Sequence, residues 1–264
     1  MLQIRKRFHL FEFEDLPWFP DVVREGMTDF LRFMITKTNF YEPVMPIIAA
    51  TLKKTGENQL MELGAGGGGG ALKMQKQLQQ LGLVPEIILS DLYPNIPAYR
   101  DLKNISKGRI NYIEEPVNAL NVPEDLKGMR LLFSSFHHFN QEDAKKILLD
   151  ARTKNAPIGI FDAGTKSVLT ILFGVILLQP LIFFFVTPFI RPFKWSRLLF
   201  TYILPLIPLC TLWDGSVSVL RFYTVEQLND LIKNMDDSGY FYETGQVKNR
   251  IGIKVNYLVG YPLG

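Results

Sequence analysis

From Gln59 to residue 161 the chain alternates short apolar runs with helical stretches, and no other feature narrows its fold as much. Gln59–Leu63 reads as a strand, followed by a glycine run and a helix that ends at Gln80. Glu86–Ser90 reads as a second strand running into Asp91. Residues 109–113 form a weaker third strand and Met129–Phe133 a strong fourth. A polar-faced helix over 141–154 then leads to a fifth strand at 158–161. Strand, helix and strand at this spacing require right-handed crossovers and a mainly parallel sheet. Two more strand-like segments, 240–247 and 251–261, are joined by the short polar link Lys248-Asn249-Arg250 with no helix between them. They make a hairpin, so the last strand runs antiparallel. The expected fold class is α/β: a doubly wound, mostly parallel, seven-stranded sheet with N-terminal helices and an apolar helical insertion.

The N-terminal part reads as helix over 15–55. Pro17 and Pro20 mark the entry, and Val22, Val23, Met27, Phe30, Leu31 and Met34 recur at helical spacing. Pro43 and Pro46 interrupt it before a second short helix at 47–54. A basic cluster, Arg5, Lys6 and Arg7, opens the chain. The aromatic and acidic stretch behind it lacks the apolar core of a secretory signal, so a cytoplasmic location is expected. The domain division expected is 1–56 as a helical cap, 57–164 with 216–264 as the α/β domain, and 165–215 as the insertion.

That insertion explains why mean hydropathy is as high as +0.09. Residues 168–190 carry no charge over 23 positions, and 198–213 are again uncharged. As a helix the first run would reach about 34 Å, enough to cross a bilayer core. Because the sheet domain resumes afterwards, both ends of the insertion lie on one side. A re-entrant or interfacial helical pair therefore fits better than a two-span hairpin. It would place Arg191, Lys194 and Arg197 at anionic headgroups and Trp195 in the interface. A buried lid or dimer interface is the soluble alternative.

Composition limits the chemistry. One cysteine, Cys210, excludes a disulfide framework and a cysteine-based zinc site. Three histidines, His9, His137 and His138, exclude a histidine-rich metal cluster, and no metal is expected. A net charge of +3 gives no nucleic-acid footprint.

The glycine run opens a helix directly after a strand, where bare backbone can approach a ligand closely. Gly64, Gly66 and Gly69 match the dinucleotide pattern, which by itself is weak. Three features separate this chain from a dinucleotide fold. Glu62 stands two residues before Gly64, Asp91 ends the second strand, and an antiparallel hairpin closes the chain. Together they resemble the class I S-adenosylmethionine-dependent methyltransferase family, over residues 59–164 and 224–262. The resemblance implies a Rossmann-like fold that binds S-adenosyl-L-methionine. It also implies roles: Glu62, Gly64, Ala65, Gly66 and Gly68 hold the methionine end and ribose, and Asp91 takes the ribose hydroxyls. Leu92 and Tyr93 wall the adenine, and Asn118, with Ala119 behind it, reads the adenine amino group where many members carry Asp. Residues 192–218 resemble segments of a bacterial subfamily of such enzymes, a likeness that brings no substrate with it.

Ser134 to Phe139 lie at the carboxyl end of the fourth strand, where open α/β sheets bind ligands. Ser134 is expected on the donor. His137 or His138 is the expected base for an acceptor that must lose a proton, with Asp162 as the next candidate. Trp213 and Asp214, between the insertion and the sheet, are expected on the substrate, with Arg221 beside them. The absence of an N/D-P-P-Y motif argues against nucleic-acid or protein amide methylation, and no G-x-S-x-G elbow supports a serine hydrolase. The expected function is methyl transfer to an apolar small molecule or lipid at the inner face of a membrane. The rivals are a non-catalytic membrane adaptor of the same fold and an NAD-dependent oxidoreductase. The latter lacks the Y-x-x-x-K pair it would need.

Overall fold

The computed structural model describes residues 4, 6–164, 166–233, 235, 239–250 and 252–263. Arg5 of the basic cluster and Ile251 of the last expected strand lie outside them. Seven strands form one sheet: β1 (Gln59–Leu63), β2 (Glu86–Ser90), β3 (Ile110–Tyr112), β4 (Met129–Phe133), β5 (Ile158–Ala163), β6 (Tyr240–Lys248) and β7 (Lys254–Pro262). Their order is β3-β2-β1-β4-β5-β7-β6. Strands β1 to β5 pair in parallel, and β7 runs antiparallel to both β5 and β6. The chain moves outward from β1 to β3 and then returns to place β4 on the other side of β1. The switch point therefore lies between β1 and β4, where their carboxyl ends leave a crevice.

Alternation along the strands divides the core. Leu60 of β1 points to a layer built by α2 (Met45–Thr55), α3 (Ala71–Gln80) and α4 (Ile96–Ile105), through Ile48, Leu52, Met74, Leu78 and Leu102. Met61 points to the opposite layer, built by α5 (Gln141–Thr153) and α9 (Val225–Ile232), through Ile147, Leu148, Leu228 and Leu231. Helix α4 is absent from the sequence reading, although its start signal is present. The Asn95 side chain accepts the Ala98 N–H at 3.2 Å, and Pro97 stands in the first turn.

The N-terminal block divides between two bodies. The helix α1 (Asp21–Thr38) begins later than residue 15 and is preceded only by a short turn at Phe13–Asp15. Helix α2 is part of the sheet's core. Helix α1 packs instead on the insertion: Val23, Met27 and Phe30 meet Phe183, Ile190 and Ile207, with the Phe30 and Phe183 rings stacked at 3.6 Å.

The insertion comprises a wide-turned segment, Thr170–Leu178, then α6 (Gln179–Val186), α7 (Trp195–Leu198) and α8 (Leu206–Arg221). The boundary expected at residue 215 falls inside α8. Residues Thr170–Phe189 form a helix long and apolar enough to cross a membrane, with mean hydropathy 2.3 and only 17% of its best window buried. Residues 195–221 reach that standard only as two helices bent by 78° at the break before α8. Phe173, Phe185, Phe189 and Trp195 stand on the outside, Trp195 being 77% exposed.

Of the three cations expected at headgroups, Arg191 is exposed, whereas Lys194 and Arg197 depart from expectation. Arg197 is buried against Asp29 at 2.5 Å, and Lys194 reaches Glu25 at 2.7 Å and Asp29 at 3.1 Å. Both side chains point into α1 rather than toward headgroups. A fully buried carboxylate on α1 needs charged partners, and the insertion provides them.

Candidate active site

The loop after β1 leaves the sheet through Gly64, Gly66 and Gly68, all at positive φ (65°, 53° and 72°). A Cβ on Gly68 would stand 2.4 Å from Leu102 Cδ1. Gly67 is bare for another reason: a Cβ there would stand 2.7 Å from the carbonyl oxygen of Thr28, because α1 lies directly on the loop. The glycine run thus serves a close helix contact.

Asp91, at the end of β2, accepts the Gly66 N–H at 2.7 Å on one carboxyl oxygen and the Tyr93 N–H at 2.8 Å on the other. Burial raises its pKa, and these N–H groups pull it back. Asp91 and the glycine loop line a cavity of about 400 Å³ at the switch point. Helix α1 roofs it with Arg24, Thr28 and Arg32, and the turn before α1 adds Glu14 and Asp15.

Of the residues expected on the donor, Gly64, Ala65, Gly66, Asp91, Leu92, Asn118, Ala119 and Ser134 line this cavity. Gly68 shapes the loop from behind. Glu62 opens instead onto a separate crevice with Ile35, Tyr41 and Phe133. It is buried, its Oε2 has no partner, and burial together with Asp91 pushes its pKa up to about 8. The Asn118 side-chain oxygen accepts the Leu120 N–H at 2.9 Å, so the atom expected to face the adenine amino group has one lone pair already engaged. Ser134, itself at positive φ, shares a short hydrogen bond with the Tyr41 hydroxyl.

The histidines are placed differently from expectation. His137 is 3% exposed and does not line the cavity; its Nδ1 lies 3.3 Å from Asp162 and its ring edge packs on Phe222. His138 does line the cavity, but its ring nitrogens face Glu12 at 3.1 Å, Asp15 at 2.8 Å and Glu14 at 3.5 Å. Burial opposes its charge, and these three carboxylates overcome that and hold its pKa well above the usual value. A histidine kept protonated has no lone pair to accept a proton, so neither ring presents a free base to the cavity.

Trp213 and Asp214 lie outside the cavity and grip the segment that runs over it. Asp214 accepts the N–H groups of Phe13 at 2.8 Å and Glu14 at 3.2 Å, and Trp213 donates to the Phe11 carbonyl at 3.1 Å. This strap, residues 6–16, also sends the Arg7 guanidinium to the carbonyl oxygens of His137, Phe139 and Arg221, each at 2.6 Å. Arg221, expected near the site, bonds Asp15 at 2.8 Å from below.

Sequence reasoning missed the roof. Arg24 stacks over the Tyr93 ring at 4.1 Å and donates to the Glu14 and Leu16 carbonyls, joining α1, the strap and the loop after β2. A signal existed: five consecutive glycines, Gly66 to Gly70, exceed what a ligand loop needs and mark a surface on which another backbone rests.

A sheet ordered β3-β2-β1-β4-β5-β7-β6 with an antiparallel β7 defines the class I methyltransferase fold, and the glycine loop and Asp91 stand at its switch point. The plantazolicin methyltransferase BpumL, solved in complex with SAH, matches 92% of this chain and 97% of its own, with a TM-score of 0.51 at 11% identity. The pyocyanin biosynthetic protein PhzM matches 85% of this chain at 14% identity and a TM-score of 0.48, and this chain spans only 56% of PhzM's length. A SAM dependent methyltransferase from Aquifex aeolicus gives 11% identity and a TM-score of 0.46, over 88% of this chain and 97% of its own. No protein-family model and no curated protein matches the sequence.

Proposed function

We propose that this chain is an S-adenosylmethionine-dependent methyltransferase that acts on an apolar small molecule or lipid at the cytoplasmic face of a membrane. The observation that carries the reading is one cavity lined by both the glycine loop and Asp91, at the switch point of a methyltransferase-type sheet. The residues present suit this donor. Gly64 to Gly66 offer bare backbone to the methionine end. Asp91 keeps lone pairs for ribose hydroxyls beyond the two N–H groups it accepts, and Leu92 and Ala119 flank the space for adenine. The bound donor supplies an already activated methyl group on a sulfonium centre. The chain's own task is then alignment and exclusion of water, which the α1 roof and the strap perform. BpumL, which shares the fold, is solved with SAH bound.

An apolar acceptor and a membrane surface fit the insertion. The helix from Thr170 to Phe189 presents mostly uncovered apolar side chains, and both ends of the insertion return to the sheet domain. That arrangement suits helices lying in an interface.

Calorimetric titration with S-adenosylmethionine, S-adenosylhomocysteine and NAD in parallel tests the donor. Micromolar binding of the two sulfur ligands without NAD is expected, and binding of NAD alone would overturn the reading. Flotation with liposomes tests the membrane; protein left at the bottom of the gradient favours a soluble lid.

A further inference from the structure

We propose that Glu12, His137 and His138 hold a divalent transition-metal ion, of the zinc or cobalt type, that clips the strap to the loop after β4. Each of the three offers a donor atom, and these atoms lie within 4.8 Å of one another. Two ligands at zinc–nitrogen and zinc–oxygen distances on a tetrahedral centre stand roughly 3.3 Å apart. Glu12 Oε2 and His138 Nδ1 are separated by 3.1 Å.

Two further observations point to a ligand rather than to a simple ion-pair cluster. His137 Nε2 is buried without a hydrogen-bond partner, in a residue only 3% exposed, and an orphaned polar atom at such depth is costly. The other nitrogen of His137 faces Asp162 at 3.3 Å. A carboxylate on one imidazole nitrogen while the opposite one stays free is the arrangement that orients a metal-binding histidine.

Glu12 and Asp15 pair with the protonated His138 ring, so an ion bound at His138 Nδ1 would take the place of that proton. Two histidines and a carboxylate form a ligand set for zinc and related ions, and Asp15, 2.8 Å from His138 Nδ1, is a nearby oxygen for a fourth position. The ligands are far apart in sequence, since Glu12 lies on the strap and the histidines after β4. The ion would therefore lock the strap over the cavity. This inference does not depend on the methyl-transfer reading.

The test uses the whole chain, freed of metal with a chelator and titrated with Co²⁺ by visible absorption and calorimetry, with Zn²⁺ as competitor. One equivalent is expected to bind with micromolar or tighter affinity and to be displaced by Zn²⁺. Zn²⁺ should also raise the melting temperature. Glu12→Gln and His137→Gln should each weaken Co²⁺ binding at least tenfold, whereas His9→Gln should leave it unchanged. If either ligand variant fails to fold, Asp162→Asn serves in its place, with a loss of about tenfold expected from misorienting His137. Absence of stoichiometric binding, or affinity unchanged in these variants, or an equal loss in His9→Gln, overturns the proposal. Titration of the same samples with S-adenosylhomocysteine reads the donor site separately.

Discussion

The sheet domain and the apolar insertion use their apolar residues in opposite ways. In the sheet domain, strands β1 and β4 are almost wholly covered, and helices on both faces bury Leu60, Met61, Leu131 and Leu132. In the insertion, the most apolar helix of the chain leaves most of its surface uncovered. The insertion is tied to the rest by an apolar contact with α1, by a buried charge cluster around Asp29, and by the hydrogen bonds of Trp213 and Asp214 to the strap. Apolar burial is non-directional and makes a body that many sequences would build. Buried charge is directional and fixes one orientation, at the risk of a large loss if one partner is removed. The insertion is therefore apolar on its outer face and carries buried charge where it attaches to α1.

The largest effect expected is at that attachment. Asp29→Ala leaves Arg197 buried without its carboxylate and should cost about 3–5 kcal/mol of stability, measured by urea denaturation. A loss below 1 kcal/mol would show that the Asp29 cluster is not what holds the insertion.

At the cavity, Asp91→Ala removes the acceptor that ties Gly66 to the end of β2. S-adenosylhomocysteine affinity should fall at least tenfold by calorimetry, since hydrogen bonds to charged groups contribute about 1.5–3 kcal/mol. A change within twofold would remove Asp91 from the donor site.

Glu62 gives the sheet domain a pH signature. Its folded pKa of about 8 lies above its ordinary value of 4.5, so the folded chain holds this proton more tightly than the unfolded one. That contribution is fully present below the unfolded value and is lost as pH rises through about 8. Stability should decline over that window by up to about 1.4 kcal/mol per pH unit. Glu62→Gln should flatten the decline, as read from denaturation midpoints across pH.

The smallest effect on folding is expected on the outer face. Phe185→Ser, at a side chain 76% exposed, should change stability by less than about 0.5 kcal/mol. The same change, combined with Phe189→Ser, should reduce liposome flotation clearly. Unchanged flotation would argue that the membrane does not cover this face.

Much of the frame was legible. The bounds of β1, β2 and β4 and the end of α3 coincide with those read from apolar runs and the glycine break, because a buried parallel strand needs a continuous apolar run with polar ends. Asp91 and the glycine loop were legible for a related reason: their roles depend on position along a strand and at its end. Glu62, His137 and His138 were read as chemical types in the right place, yet they face a crevice, a buried aspartate and a ring of carboxylates. Those partners come from segments distant in the chain. The His138–Asp15 pair spans 123 positions and the Arg197–Asp29 pair 168.

By itself the sequence determined the alternation of strands and helices, the reversed last strand, the glycine loop with its acid, and the uncharged block. Each is a local pattern whose period or spacing carries its own physical meaning. Only the tertiary structure decided that α1 roofs the cavity, that Lys194 and Arg197 turn inward, and that Glu12 meets two histidines under the strap. These outcomes depend on which surfaces meet when the chain closes, and a buried charge takes whatever partner the packing brings to it.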